Sequence, residues 1–311
     1  MEQLNKDELF SLAIHLDLPH LLRLCSTSKN IRDKLCLKDE IWNYKLQEEF
    51  PDFRNLYVQN KSKKEIYQIL YSLLVVKNKL NRKESIYELY KLQNLSLENN
   101  KLTEIPKEIG VLTRLRELHL NTNQLTEIPK ELGSLRELQI LWLFNNQLTE
   151  IPKELGAFTN LRQLELGRNR LTEIPKELEA LTNLIELSLH HNQFIEIPKA
   201  LLSLKGLREL DLSYNQLVEI PKNLEHLINL EVLNLSYNRL PEIPKEFINL
   251  KNLKELNLSY NRLTEIPKEL AILQELREID LSGNQLRDIP VELSNKKKLT
   301  VKLNSKRKVR N

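Results

Sequence analysis

Ile140, Trp142 and Phe144 occupy alternate positions of one short segment, so in an extended chain their side chains share a surface. Aromatic groups presented that way are anchors for protein recognition. His119 and Glu165 lie 23 residues to either side of Trp142, and Arg168, His190 and His191 follow. These polar groups can rim the aromatic patch. Such residue types support binding rather than bond-making. His190 and His191 are adjacent, so on a strand they face opposite sides and cannot chelate one metal from a sheet alone. Glu165 or Asp211 would have to join them from neighbouring strands. Cys25 and Cys36, eleven apart and without clustered histidines, do not make a zinc site and read as reduced thiols of a cytosolic protein. There is no glycine-rich phosphate loop and no nucleophile–histidine–acid set. The chain is therefore read as a non-enzyme without cofactor or metal.

The elements that must position these residues are periodic. Asn100, Asn123, Asn146, Asn169, Asn192, Asn215, Asn238, Asn261 and Asn284 recur every 23 residues. Each closes a leucine-x-x-leucine-x-leucine-x-x-asparagine-x-leucine phrase, as Leu161, Leu164, Leu166, Asn169 and Leu171 do. A strict period of this size predicts a stacked solenoid, in which each unit buries its apolar side against its neighbours. The leucine alternation predicts one short strand per unit, and parallel stacking places strands about 4.8 Å apart. An amide at the strand exit can donate and accept at once, pairing backbone groups of adjacent turns. Pro106, Pro129, Pro152, Pro175, Pro198, Pro221, Pro244, Pro267 and Pro290 start the return segments. Proline suits the first turn of a helix, where no N–H partner is needed, and Lys-Glu-Leu then predicts one or two helical turns.

The phrase resembles the leucine-rich repeat family in its 23-residue form with Ile-Pro in the second half, over residues 92–298 and nine repeats. The resemblance implies an α/β solenoid with a parallel sheet on its concave face, to which the non-leucine strand positions point. Those positions vary between repeats while the return segments barely change. One row reads Ser96, His119, Trp142, Glu165, Ser188, Asp211, Asn234, Asn257 and Asp280. Two places on, it reads Glu98, Asn121, Phe144, Gly167, His190, Ser213, Ser236, Ser259 and Ser282. The candidate target-binding set is Ile140, Trp142, Phe144, His119, Glu165, Arg168 and His190. Tyr214, Tyr237 and Tyr260 share one slot in consecutive repeats and read as scaffold.

Ahead of the repeats, Leu9, Leu12, Ala13 and Leu16 recur at helical spacing until Asp17 and Pro19. Leu21, Leu22, Leu24 and Cys25 begin a second helix, and Ile31, Leu35, Ile41, Trp42 and Leu46 a third stripe. This predicts an all-α three-helix unit over residues 1–53. The stretch resembles the F-box, which docks a Skp-family adaptor of cullin-type ubiquitin ligases. The matching elements are Leu4 with Asp7 and Glu8, Leu16-Asp17-Leu18-Pro19, Leu21-Leu22-Arg23-Leu24, Ser28-Lys29 and Ile41-Trp42. Asn5 departs from the family, which usually carries proline there. The resemblance implies an adaptor-binding set of Leu4, Leu9, Leu12, Leu16, Leu21 and Trp42. Residues 54–91 predict two amphipathic helices serving as a helical linker and N-terminal cap of the array.

With 47 basic and 43 acidic residues the chain carries a net charge of +4. Eight basic residues and no acid follow Ser294, and without them the body carries −4. Residues 299–311 are read as a cap strand, with Val301 and Leu303, and a basic tail able to act as a nuclear-localisation segment. A body without a basic face argues against nucleic-acid binding. No apolar run approaches the roughly 18 residues of a membrane span, and the polar start reads as lacking a secretory leader. The expectation is a cytoplasmic protein, monomeric outside its complex. It would be either the substrate-recognition subunit of a cullin-type ubiquitin ligase or a scaffold of the kind that binds small GTPases or signalling proteins.

Overall fold

The structure is a computed structural model that describes residues 4–53 and 61–303. The chain divides after Lys91 into two compact units. Lys306, Arg307, Lys308 and Arg310 of the basic tail lie outside the described residues.

In the second unit each repeat supplies three residues of strand. These are β1 Asn94–Ser96, β2 Glu117–His119, β3 Ile140–Trp142, β4 Gln163–Glu165 and β5 Glu186–Ser188. They continue as β6 Glu209–Asp211, β7 Val232–Asn234, β8 Glu255–Asn257, β9 Glu278–Asp280 and β10 Thr300–Lys302. All ten form one parallel sheet in chain order. Its register is the sequence period, with Leu118 opposite Leu141 and Leu164 opposite Leu187. The central leucines of β1–β8 and Ile279 of β9 point inward and are buried.

The return segments form the one or two helical turns expected of them. The first eight are five-residue 3-10 helices such as Lys107–Val111 and Lys130–Ser134, and the ninth is the α-helix Val291–Ser294. The prolines stand just before each one, not within its first turn. Pro106 and Pro129 are extended, and their carbonyls accept the Ile109 and Leu132 N–H groups at 2.9 and 3.0 Å. A 3-10 turn rises about 2.0 Å per residue against about 1.5 Å for an α-helix, so five residues cover more of the return path.

Asparagine ties successive turns together. Asn192 Oδ1 accepts the Leu171 N–H at 2.9 Å, and its Nδ2 donates to the carbonyls of Leu166 and Leu189, both at 3.0 Å. Asn146, Asn169, Asn215, Asn238, Asn261 and Asn284 repeat this pattern. A second ladder escaped the sequence reading. Asn160, Asn183, Asn229 and Asn252 each donate to a carbonyl 24 residues earlier, at 2.8–3.0 Å.

The first unit contains α1 Lys6–Ala13, α2 Leu18–Thr27, α3 Lys29–Ile31, α4 Asp39–Glu49, α5 Lys63–Lys79 and α6 Ile86–Lys91. The expected third helix is thus two, because the apolar stripe loses helical phase between Leu35 and Ile41. A π-helical turn, Arg32–Cys36, follows α3. The sulfurs of Cys25 and Cys36 are bonded, so the reading of two free thiols is corrected. The fold brings the end of α2 against that π turn, a proximity that sequence separation does not reveal. The division at residue 53 does not separate two compact units either. Tyr67 of α5 is fully buried against Trp42 and Phe50, and its hydroxyl donates to Glu49 at 2.7 Å.

Asn192→Ala is expected to lower the unfolding midpoint in a thermal or denaturant melt. It leaves buried backbone groups unpaired at about 1–3 kcal/mol each, whereas an unchanged midpoint would contradict the bridging role.

Candidate recognition site

Parallel register places His119, Trp142 and Glu165 side by side on β2, β3 and β4. The imidazole of His119 stacks on the Trp142 indole, with centroids 4.0 Å apart and planes 13° from parallel. Phe144 follows at 6.4 Å, tilted by 52°. Trp142, Phe144 and Ile140 are half-buried, so much of the aromatic surface is already packed against the protein. Trp142 Nε1, His119 Nε2 and Asn121 Oδ1 are nevertheless buried without a hydrogen-bond partner among the described residues, the nearest acid to His119 Nε2 being Glu117 at 3.9 Å. Buried polar atoms are nearly always paired, and each exception costs free energy.

Beside the aromatic pair lies a cavity of about 440 Å³ lined by Phe144, Asn145, Glu165, Arg168 and His190. It gathers four of the seven residues proposed from sequence, with Trp142 and His119 on the adjoining strands and Ile140 at the start of β3. Gly167 makes room for it. A Cβ there would lie 2.2 Å from the His190 ring, so only glycine lets the imidazole settle over this position. Ser188 Oγ and His190 Nδ1 are 2.6 Å apart, which fixes the ring. Asn145, Gly167 and Ser188 were absent from the proposed set. The lone glycine among larger residues in its row was the available signal for Gly167.

Burial pushes the Glu165 carboxyl above the usual carboxylate range, helped by Glu186 and Asp211, while hydrogen bonds from Gln163 and Ser188 oppose the rise. Among the described residues Glu165 has no ion pair. Burial lowers the His190 pKa, against the pull of Asp211, and burial with the nearby Arg168 charge lowers that of His191. Both rings are therefore neutral at physiological pH. They do not face opposite sides as expected, since their centroids are 5.3 Å apart. The strand ends at Ser188, and His191 adopts a left-handed φ of 51° that turns its ring along the sheet edge.

That left-handed slot recurs in every repeat, and it organises the tyrosines. His191, Tyr214, Tyr237 and Tyr260 stack in one column at 3.9, 4.0 and 4.3 Å. The Tyr214 and Tyr237 N–H groups donate to the Ser236 and Ser259 carbonyls at 2.9 Å, which holds the turn. Gly283 takes the slot in the last repeat at φ 72°, where a Cβ would lie 2.7 Å from the Tyr260 ring.

The six residues proposed to meet an adaptor do not share one surface. Leu9, Leu21 and Trp42 are buried in the core of the N-terminal unit, and the Trp42 indole donates to the Cys36 carbonyl at 3.0 Å. Leu4 and Leu16 are half-buried, and Leu12 is 44% exposed. Asn5 caps α1. Its Oδ1 accepts the Asp7 and Glu8 N–H groups at 2.9 and 3.0 Å, and the Glu8 carboxylate accepts the Asn5 N–H at 2.8 Å. A proline at this position could supply neither arm.

Residues 68–203 match the leucine-rich repeat region family, and 206–227 and 228–286 match leucine-rich repeat families. The ten-stranded parallel sheet and these matches fit a leucine-rich-repeat solenoid. The chain is similar to a leucine-rich repeat protein of Leptospira interrogans, at 40% identity and a TM-score of 0.66. That likeness covers 69% of this chain and 56% of the other, so the chain spans just over half of that relative's length. An internalin of Listeria monocytogenes matches at 25% identity over 75% of this chain and 81% of its own, with a TM-score of 0.47. The leucine-rich-repeat ectodomain of a plant membrane receptor kinase from Arabidopsis thaliana, solved with Casparian strip integrity factor 2, matches at 32% identity. There the match covers 63% of this chain and 30% of the other, with a TM-score of 0.42. No curated protein matches significantly. Among the described residues, no helix is long and apolar enough to cross a membrane.

The raised carboxyl of Glu165 has a stability consequence. Its burial penalty is fully present above the folded-state pKa and disappears as pH falls through that value. Glu165→Gln should therefore raise the melting midpoint at neutral pH. The gain over the parent protein should close toward about pH 4, where the unfolded carboxyl also becomes protonated. Melts across that range measure the difference.

Proposed function

We propose that this chain is a protein-recognition module whose sheet face, centred on Trp142, captures a protein partner and performs no chemistry of its own. Leucine-rich-repeat proteins generally serve protein–protein interaction. The observation that carries the reading is the stacked His119–Trp142 pair, half-buried on the sheet beside the cavity. A half-buried aromatic pair beside a cavity is suited to a partner that supplies apolar surface.

Trp142→Ala should weaken partner binding at least about thirtyfold, the loss typical of a hot-spot aromatic. Quantitative affinity capture with the intact chain and the variant, alongside their thermal melts, provides the test. Full binding with a lowered melting midpoint would assign Trp142 to structure and remove this site.

A finer reading makes the chain the substrate receptor of a cullin-type ubiquitin ligase. It would hold a target near the ubiquitin-charged enzyme and act through effective concentration. Its support is the F-box resemblance together with Leu12, 44% exposed on α1. The capping role of Asn5 favours the plain scaffold instead, since it accounts for Asn5 without an adaptor contact. Leu12→Asp should abolish capture of a Skp-family adaptor while leaving helical content intact. If the parent protein captures no such adaptor, the scaffold reading stands alone.

A further inference from the structure

We infer that the cavity beside Trp142 receives a cationic side chain, lysine or arginine, from an extended segment of the partner protein. The inference rests on the recognition reading above and specifies the chemistry of what enters the site. Glu165 is its centre, a half-buried carboxylate lining a cavity of about 440 Å³ without a counter-ion among the described residues. Arg168 lines the same cavity but forms no ion pair with it, and is exposed.

The surrounding charge has the same sign. Glu186 and Glu209 are register partners on β5 and β6, and Asp211 lies two strands from Glu165 in the same row. On each strand these acids flank an inward-pointing leucine, so they occupy the same face as Glu165. Among the described residues Glu186, Glu209 and Asp211 form no ion pair, and Asp211 accepts a hydrogen bond from the Ser213 N–H at 2.8 Å. Like charges at strand spacing repel one another, and a partner cation relieves several of these repulsions together.

The walls suit the same occupant. Phe144 borders the cavity and Trp142 adjoins it, offering aromatic surface for a cation and for the apolar stem that carries it. A cationic side chain therefore answers the unpaired charge of the site. An anionic partner would meet Arg168 but would add to the repulsion around Glu165.

The chain has two tryptophans, so the ¹⁵N-labelled full-length protein has two indole N–H signals. The Trp42 indole is already bonded to the Cys36 carbonyl and serves as an internal control. Tetralysine should shift the Trp142 indole signal saturably and leave that of Trp42 in place, while tetraglutamate should shift neither. Glu165→Gln should weaken the tetralysine response at least about tenfold while raising the melting midpoint, a combination that loss of folding cannot produce. Glu269→Gln, in a return segment, should leave the response unchanged. An absent Trp142 response to millimolar tetralysine, an equal response in Glu165→Gln, or a response to tetraglutamate instead would overturn the inference. If that happens while Trp142→Ala still loses the protein partner, the recognition reading survives and only the cationic specificity is lost.

Discussion

The amide of the repeated asparagine is the interaction on which the rest of the array depends. A parallel sheet with three residues per strand leaves many backbone groups at the strand exits, where the chain turns away and the ladder ends. One side chain meets three of them. Asn169 accepts from Leu148 N–H and donates to the carbonyls of Leu143 and Leu166, spanning two turns with one residue. Asn100, with no repeat before it, donates to the Glu98 carbonyl and is exposed. The difference shows that the bridge belongs to stacking and not to the single repeat.

Because asparagine and inward leucines secure each turn, the outward strand positions are released from structural duty. The left-handed residue before each asparagine is nearly as free. It is threonine, asparagine, arginine, histidine or tyrosine in different repeats, at φ values of 51–58° from Thr122 to Tyr260. Non-glycine residues pay a conformational cost in that region. The cross-strand hydrogen bond made by each N–H offsets that cost, and in the later repeats ring stacking joins it. Recognition chemistry can then vary over a backbone that does not change, and the cavity at Glu165 arises from side chains alone: a large one at Phe144, none at Gly167, a ring at His190.

The N-terminal unit follows a different logic, with no repeat to distribute its stability. Its core is concentrated on a few large groups, Trp42 and Tyr67 above all, each fully buried and each with its polar atom satisfied. Local caps set where its helices begin: Asn5 for α1, Asp17 for α2, Ser28 for α3 and Ser62 for α5. Asn5 is thereby explained by helix initiation, whatever else the unit does. Lys45 is buried too, and its ammonium reaches Glu49 at 2.7 Å one helical turn away, beside the Tyr67 hydroxyl.

Much of the repeat fold is written in the sequence because its determinants are local and repeated. The 23-residue period is itself the strand register, the leucines mark the buried face, and the asparagines mark the exits. The aromatic patch was legible for the same reason, since parity along one strand places Trp142 and Phe144 on one surface. Other features depend on distances between repeats or segments, which no local pattern encodes. The 3-10 form of the returns follows from the path length to be covered in five residues. The approach of His190 to His191 follows from a backbone φ at the strand end, and the seat of His190 from the missing side chain of Gly167 one strand away. Cys25 meets Cys36, and Tyr67 meets Trp42, only once the helices have packed. Sequence alone determined which residues face outward from the sheet; tertiary structure decided which of them lie close enough to act together, because neighbours across a parallel sheet are set by packing and not by the chain that joins them.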